Sequence, residues 1–270
     1  MIKQNYHSHT KRCGHAVGED EDYVREAIKA GLEVLGFSDH AAYPIPCPSE
    51  RMNLDQVEDY MQSITALKEK YADDIKILLG MEVEYYPDQW EYLREYRRRL
   101  DYCILGQHQI SLDGHSSYHL HHRDQLLEYV DKLGLACEHG LCDIIAHPDV
   151  CMWDYPVLDG SVYEAAEKIA AISLQYDVPL ELNCGSGVRC GKRRYQDGYR
   201  YAYPVRPFFE TFAKHNCKIV IGLDIHDPSL FHTDEYINDA LSIVEGLDLT
   251  FVNDFDIVKA AAKRKEEYFK

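Results

Sequence analysis

No stretch of about 18 apolar residues occurs in the 270-residue chain, so no membrane-spanning helix is expected. The N-terminus lacks a basic region leading into an apolar run and a small-residue cleavage site, so no secretory signal is expected and the cytoplasm is the expected setting. There is no Cys-x-x-Cys pair. The nine cysteines are scattered and odd in number, which fits reduced thiols better than a disulfide framework. Positive charge is scarce: 29 Lys and Arg stand against 46 Asp and Glu, a formal net charge of −17. That balance argues against general binding to nucleic-acid backbones, which needs a basic footprint. Low-complexity segments and linkers are also missing, so residues 1–270 are expected to form one domain. Nothing in the composition decides for or against a homodimer.

What is present is an alternation of short apolar runs with longer helical patterns. Strands are expected at 1–5, 33–37, 75–80 with a continuation to 84, 101–106, 143–146, 178–182 and 218–223. Helices are expected over 20–31, from 53 or 55 to 71, over 89–99, 124–133, 161–176, 207–215, 235–245 and 254–268. Residues 41–49, with Pro44, Pro46 and Pro48, read as a loop, as does the Gly- and Arg-rich 185–203. Seven strand–helix units imply parallel strands with right-handed crossovers. The economical architecture is a closed or nearly closed (β/α)7 barrel, which carries its active site at the C-terminal ends of the strands.

Each expected strand ends in a metal-ligand type or a polar amide. The first opens into His7-Ser8-His9, two histidines that face one way on an extended chain. The following strands end in Asp39-His40, Glu82, His108, His147, Asn183 and Asp224-Ile225-His226. Imidazole nitrogens and carboxylate oxygens gathered on one rim point to a metal centre. His119, His121 and His122 lie more than ten residues past a strand and read as loop histidines. Arg189 is the favoured phosphate contact, with Arg193 and Arg194 as alternatives, because guanidinium matches phosphate oxygens with two parallel donors.

The pieces His7-x-His9, Ser38-Asp39-His40, Gly80-Met81-Glu82, Leu105-Gly106-x-His108, Ala146-His147-Pro148 and Gly222-x-Asp224-x-His226 resemble the ordered motifs of the polymerase and histidinol phosphatase (PHP) superfamily. The resemblance implies a distorted (β/α)7 TIM-like barrel with three divalent ions, zinc, manganese or iron. One ion would use His7, His9, Glu82 and Asp224. A second would share Glu82 and add His108 and His147. The third would use His15, His40 and His226. Glu84, two residues beyond Glu82, leaves open which carboxylate bridges. Asp39 is expected behind the ligands or on the substrate side rather than as a ligand itself, and with a metal-bound water it is the candidate proton source for the leaving group; Asn183 is expected on the substrate side, and Glu181 and Asp227 as partners for a substrate ammonium.

The loop with its prolines, Asp113-Gly114, Gly187-x-Arg189 and Tyr203-Pro204 resemble the histidinol-phosphatase branch. Gln107 and Gln109 around His108, and Gly222-Leu223-Asp224 in place of the usual serine before the aspartate, depart from it. The resemblance implies hydrolysis of L-histidinol phosphate, with catalytic roles for Asp39, Glu82 and Arg189; the alternative is another phosphate ester, such as a nucleotide. An amidohydrolase barrel also opens with His-x-His, but it wants a bridging lysine after a middle strand, and none ends the third to fifth strands here. A metal-binding barrel without catalysis is the third reading.

Overall fold

The computed structural model describes residues 2–45, 50–112 and 114–269. Met1, Pro46, Cys47, Pro48, Ser49 and Asp113, which figure in the sequence expectations, lie outside them. The chain runs β1 (Gln4–Asn5), α1 (Asp20–Lys29), β2 (Val34–Phe37), α2 (Val57–Lys70), β3 (Lys76–Val83), α3 (Trp90–Arg99), β4 (Tyr102–Leu105), α4 (Arg123–Glu138), β5 (Ile144–Ile145), α5 (Gly160–Tyr176) and β6 (Leu180–Asn183). It continues through α6 (Ser186–Arg189), β7 (Arg193–Tyr195), β8 (Gly198–Arg200), α7 (Arg206–Lys214), β9 (Lys218–Gly222), α8 (Glu235–Ile243), β10 (Thr250–Phe251) and α9 (Ile257–Tyr268).

Apolar spacing explains the helices. In α5, Val162, Ala165, Ala166, Ile169 and Ala170 are buried at intervals of three and four, the Asp159 side chain caps the first turn, and Asp177 ends the helix in the left-handed conformation. In α2 the buried set is Val57, Tyr60, Met61, Ile64 and Leu67.

Eight strands form one sheet in the order β1-β2-β3-β4-β5-β6-β9-β10, and every neighbouring pair is parallel. The expected distorted α/β barrel is present, with three additions, one of them the four-residue α6 inside the segment expected to be loop. β10 is an eighth, edge strand, with Thr250 beside Lys218 and Phe251 beside Ile219. β7 and β8 form an antiparallel hairpin within the segment expected to be loop. The sheet curls without closing fully; its seam is drawn together where Ser8 bridges Ile225 in parallel. There His9 N donates to Ile225 O (2.9 Å) and Ile225 N to His7 O (3.2 Å).

Alternation along the strands divides the core in two. Ile77, Leu79, Met81 and Val83 join the large cluster shared with the helices. Leu78, Tyr102, Ile104, Ile144 and Val220 form a second cluster with Ile257 and Ala261 of α9. Asp143 and Leu100, which precede β5 and β4, anchor α9: Arg264 donates to Asp143 Oδ1 (2.9 Å) and Lys265 to the Leu100 carbonyl. α9 therefore closes the N-terminal end of the sheet, and the polar centre occupies the C-terminal end.

Candidate metal centre

All nine sequence-predicted ligands converge at the C-terminal ends of the strands. Their carboxylate centre is Glu82, near the end of β3, buried to within 1% and paired in the sheet with His40. His7 Nε2 lies 3.6 Å from Glu82 Oε2 and 3.5 Å from Asp224 Oδ1. His9 Nε2 lies 3.6 Å and 3.5 Å from the same two oxygens. His7, His9 and Asp224 bring ligand atoms within 4.8 Å of one another, and so do His9, His40 and Glu82, so each of the two carboxylates shares a candidate cation group with His9. His147 Nε2 and His108 Nε2 approach the other oxygen, Glu82 Oε1, at 2.9 and 3.6 Å. His15, His40 and His226 bring ligand atoms within 4.8 Å of one another, as do His7, Glu82 and His147. His15 is the exposed member of the nine.

The backbone is shaped around these carboxylates. A Cβ on Gly106 would fall 1.7 Å from Glu82 Oε1, and one on Gly222 would fall 1.6 Å from Glu181 Oε1. Gly222, the first residue of the Gly222-x-Asp224-x-His226 motif, is thus the residue that lets Glu181 enter. Two ligands sit at positive φ, His147 at 27° and Asp224 at 50°, a region costly for residues other than glycine and frequent at functional sites.

Two glutamates hold histidines from behind. His7 Nδ1 donates to Glu181 Oε1 (2.8 Å), while Glu181 Oε2 accepts from His147 N and Asn183 Nδ2, both at 2.8 Å. His108 Nδ1 donates to Glu84 Oε1 (3.0 Å), and Arg51 donates to the same oxygen (3.0 Å). Glu84 is therefore occupied with His108, and Glu82 is the carboxylate at the centre. Each bond turns a ring so that its Nε2 faces the carboxylates, as metal-ligating histidines require.

Charge balance keeps the carboxylates ionised. Burial raises the pKa of Glu82, but His108, His40 and His7 outweigh it and hold the group well below the usual carboxylate range. Burial likewise opposes Asp224, and His7, His9, His226 and Arg189 outweigh it. His9 is driven well below the ordinary imidazole value by burial and by His226 and His40, which leaves it neutral and able to ligate.

The expected substrate contacts fare differently. Arg189, on α6, is half-buried, and its Nη1 donates to the Asp224 carbonyl (2.9 Å), so it stands beside the centre. Asn183 is 1% exposed, with its amide between Glu181 and Asp224 and its oxygen accepting from Gly185 N (2.7 Å). Asp39 is fully buried and accepts from Thr10 N (2.7 Å) and from the Thr10 hydroxyl, with Oδ1 3.7 Å from His9 Nδ1. Asn183 thus stands beside Asp224, and Asp39 beside Thr10 and His9.

Glu181 lies beneath His7, not on the rim, and Asp227 caps a 3-10 turn through Ser229. His119 pairs with Asp154 at the surface, His121 is exposed, and His122 caps α4, in keeping with loop histidines. Arg193 pairs with Asp154, and Arg194 is exposed. Tyr118 carries no mark in the sequence, yet it stacks on His108; Tyr203, of the Tyr203-Pro204 pair, lies 5.9 Å from His147.

The donor set suits divalent cations. His7 Nε2, His9 Nε2 and His226 Nε2 are buried without a hydrogen-bond partner among the described residues. Buried polar atoms are ordinarily satisfied, and here the missing partners share one locus with ionised carboxylates. Imidazole and carboxylate together fit zinc, manganese or iron. The PHP domain family matches residues 5–185. The chain is 27% identical to the "Probable histidinol-phosphatase" of Deinococcus radiodurans over 82% of its own length and 85% of that protein. It is 32% identical to the histidinol-phosphatase of Bacillus subtilis over a shorter stretch, 44% of this chain and 47% of that one. In fold it resembles the crystal structure of histidinol phosphate phosphatase from Lactococcus lactis, complexed with zinc, L-histidinol and phosphate. The TM-score is 0.69 at 18% identity, covering 93% of this chain and 95% of that one.

Proposed function

The chain belongs to the PHP family, and from that premise we propose that it is a metal-dependent phosphomonoesterase that hydrolyses L-histidinol phosphate to L-histidinol and phosphate in histidine biosynthesis. The observation that carries the reaction class is the set of His7, His9, Glu82 and Asp224 donors at 3.5–3.6 Å spacing. The substrate follows from the names of the relatives. Residues 1–270 act as one catalytic domain on a small phosphate ester in the cytoplasm, with no nucleic-acid or membrane partner. A homodimer is compatible with this reading.

Three divalent ions of zinc, manganese or iron would be held by His7, His9, Glu82 and Asp224, by Glu82, His108 and His147, and by His15, His40 and His226. When bound, such ions acidify water toward neutrality and offset negative charge on phosphoryl oxygens. The chain's own residues do the rest. Glu82 and Asp224 supply the ionised oxygens that keep the cations in place. Glu181 and Glu84 fix the tautomers of His7 and His108. Arg189 takes two phosphoryl oxygens and orients the phosphorus for in-line attack. Asp39 and Asn183 position His9 and Asp224. In the overall reaction, water oxygen bonds to phosphorus, the ester P–O bond breaks, and the departing alkoxide takes a proton.

The test is a comparison of kcat/KM for L-histidinol phosphate with that for a nucleoside monophosphate on metal-replete protein. The reading expects a preference of at least about a hundredfold for L-histidinol phosphate, since a site built to hydrogen-bond one substrate rejects others strongly. A preference for the nucleotide would move the enzyme to the alternative ester.

A further inference from the structure

At the end of the barrel away from the metal centre, α4 finishes in a turn that folds the chain back on itself. Gly140 sits at a φ of 66°. Its N donates to the Cys137 carbonyl, and Leu141 N donates to the Ala136 carbonyl, both at 3.0 Å. These two bonds about a left-handed glycine make a Schellman closure of the helix. The closure returns Cys142 alongside Cys137. Their sulfurs lie 3.7 Å apart, and both residues are fully buried. Among the described residues no other two cysteine sulfurs meet.

The turn is held from several sides. Arg97 Nε donates to the Gly140 carbonyl (3.3 Å), and Asp143, the neighbour of Cys142, pairs with Arg97 and Arg264. A Cβ on Gly140 would fall 2.6 Å from the Tyr268 ring, so the last turn of α9 lies over it. Contact with Cys137 and burial hold the Cys142 thiol well above its ordinary pKa, which keeps it protonated at rest. The ends of a chain open more readily than its core elements, so fraying of the last turn of α9 admits a small solute.

We infer that Cys137 and Cys142 form a modification site, at which a small oxidant of the peroxide class makes an intramolecular disulfide. One sulfur, on losing its proton, attacks a peroxide oxygen; the O–O bond breaks and a sulfenic acid forms. The second sulfur attacks the sulfenic sulfur, the S–S bond forms, and the S–O bond breaks to release water. The two sulfurs are oxidised by two electrons, and hydrogen peroxide takes up those electrons and the two thiol protons to leave as two waters. A second thiol already in contact captures the sulfenic acid before further oxidation, so the product is a disulfide that a dithiol reverses. The site tethers the end of α4 to the entry of β5, the strand that leads to His147, and its chemistry is independent of the phosphomonoesterase reading.

The experiment treats zinc-loaded protein with hydrogen peroxide, zinc being redox-inert. Remaining thiols are then alkylated in denaturant and the peptides weighed by mass spectrometry. Trypsin releases residues 133–168, which contain no internal Lys or Arg, with Cys137 and Cys142 in one fragment. That fragment is expected to carry two alkyl groups fewer than the untreated control and to be about 2 Da lighter than the corresponding dithiol. Cleavage after Glu138 is expected to leave its parts joined until dithiothreitol separates them. Cys142→Ser is expected to abolish the link and to leave Cys137 as a thiol or a sulfur oxyacid. Recovery of both cysteines of the wild-type protein as alkylated thiols, or as separate sulfur oxyacids, overturns the inference. So does a link that survives Cys142→Ser, which would assign it to Cys151.

Discussion

At the scale of single residues, the cluster of metal-capable side chains was legible because metal chemistry admits few residue types. His7, His9, Glu82 and Asp224 stand out as donors at strand ends before any coordinates are seen. The residues that aim those donors were not legible. Glu84 and Glu181 carry the same carboxylate as Glu82, and only the fold decides that they face the backs of His108 and His7. Tyr118 comes from a loop far from its strand in sequence, so no spacing announces it.

Glu84 supplies a direct prediction. Glu84→Gln removes the charge that fixes His108 and leaves Arg51 without its ionic partner at that oxygen. One bound ion is expected to be held about 10–100-fold more weakly, measured by competition with a chelator, while the remaining ions are retained. Unaltered affinity for every ion would mean that Glu84 plays no part in orienting His108.

At the scale of elements, the longer helices and strands followed from apolar spacing, and those that escaped, β10, the β7–β8 hairpin and the four-residue α6, are short. β10 has two residues, too few to display the alternation that marks a strand. The β7–β8 hairpin is rich in arginine and tyrosine with a tight Gln196-Asp197 turn, a composition shared with irregular loops.

α9 was expected as a helix, but its role was not readable, because it depends on Asp143 meeting two distant arginines. Arg97 reaches both Asp143 oxygens, Arg264 adds a third bond at 2.9 Å, and Cys103 N donates a fourth at 3.0 Å. Arg97 and Asp143 are both fully buried, and Arg264 is 7% exposed. Asp143→Asn leaves two guanidinium groups without their counter-charge and is expected to cost about 3–5 kcal/mol of stability. Urea denaturation measures this; a loss below about 1 kcal/mol would show that the network does not anchor α9.

At the scale of the whole molecule, the two ends of the curled sheet have opposite tasks. The N-terminal end is closed by apolar contacts and α9, which gives the rim a rigid base. The C-terminal end concentrates buried histidines and carboxylates that would be costly in the absence of cations, since charges and polar atoms buried without partners destabilise a fold. No helix among the described residues is long and apolar enough to cross a membrane. The central claim is that the site exists to hold divalent ions for phosphate-ester hydrolysis. The most direct measurement is phosphate release from L-histidinol phosphate by metal-replete protein, by the same protein after chelation and dialysis, and after metal is restored. Turnover is expected to disappear with the metal and to return with it. Turnover that persists in protein free of bound metal would contradict it.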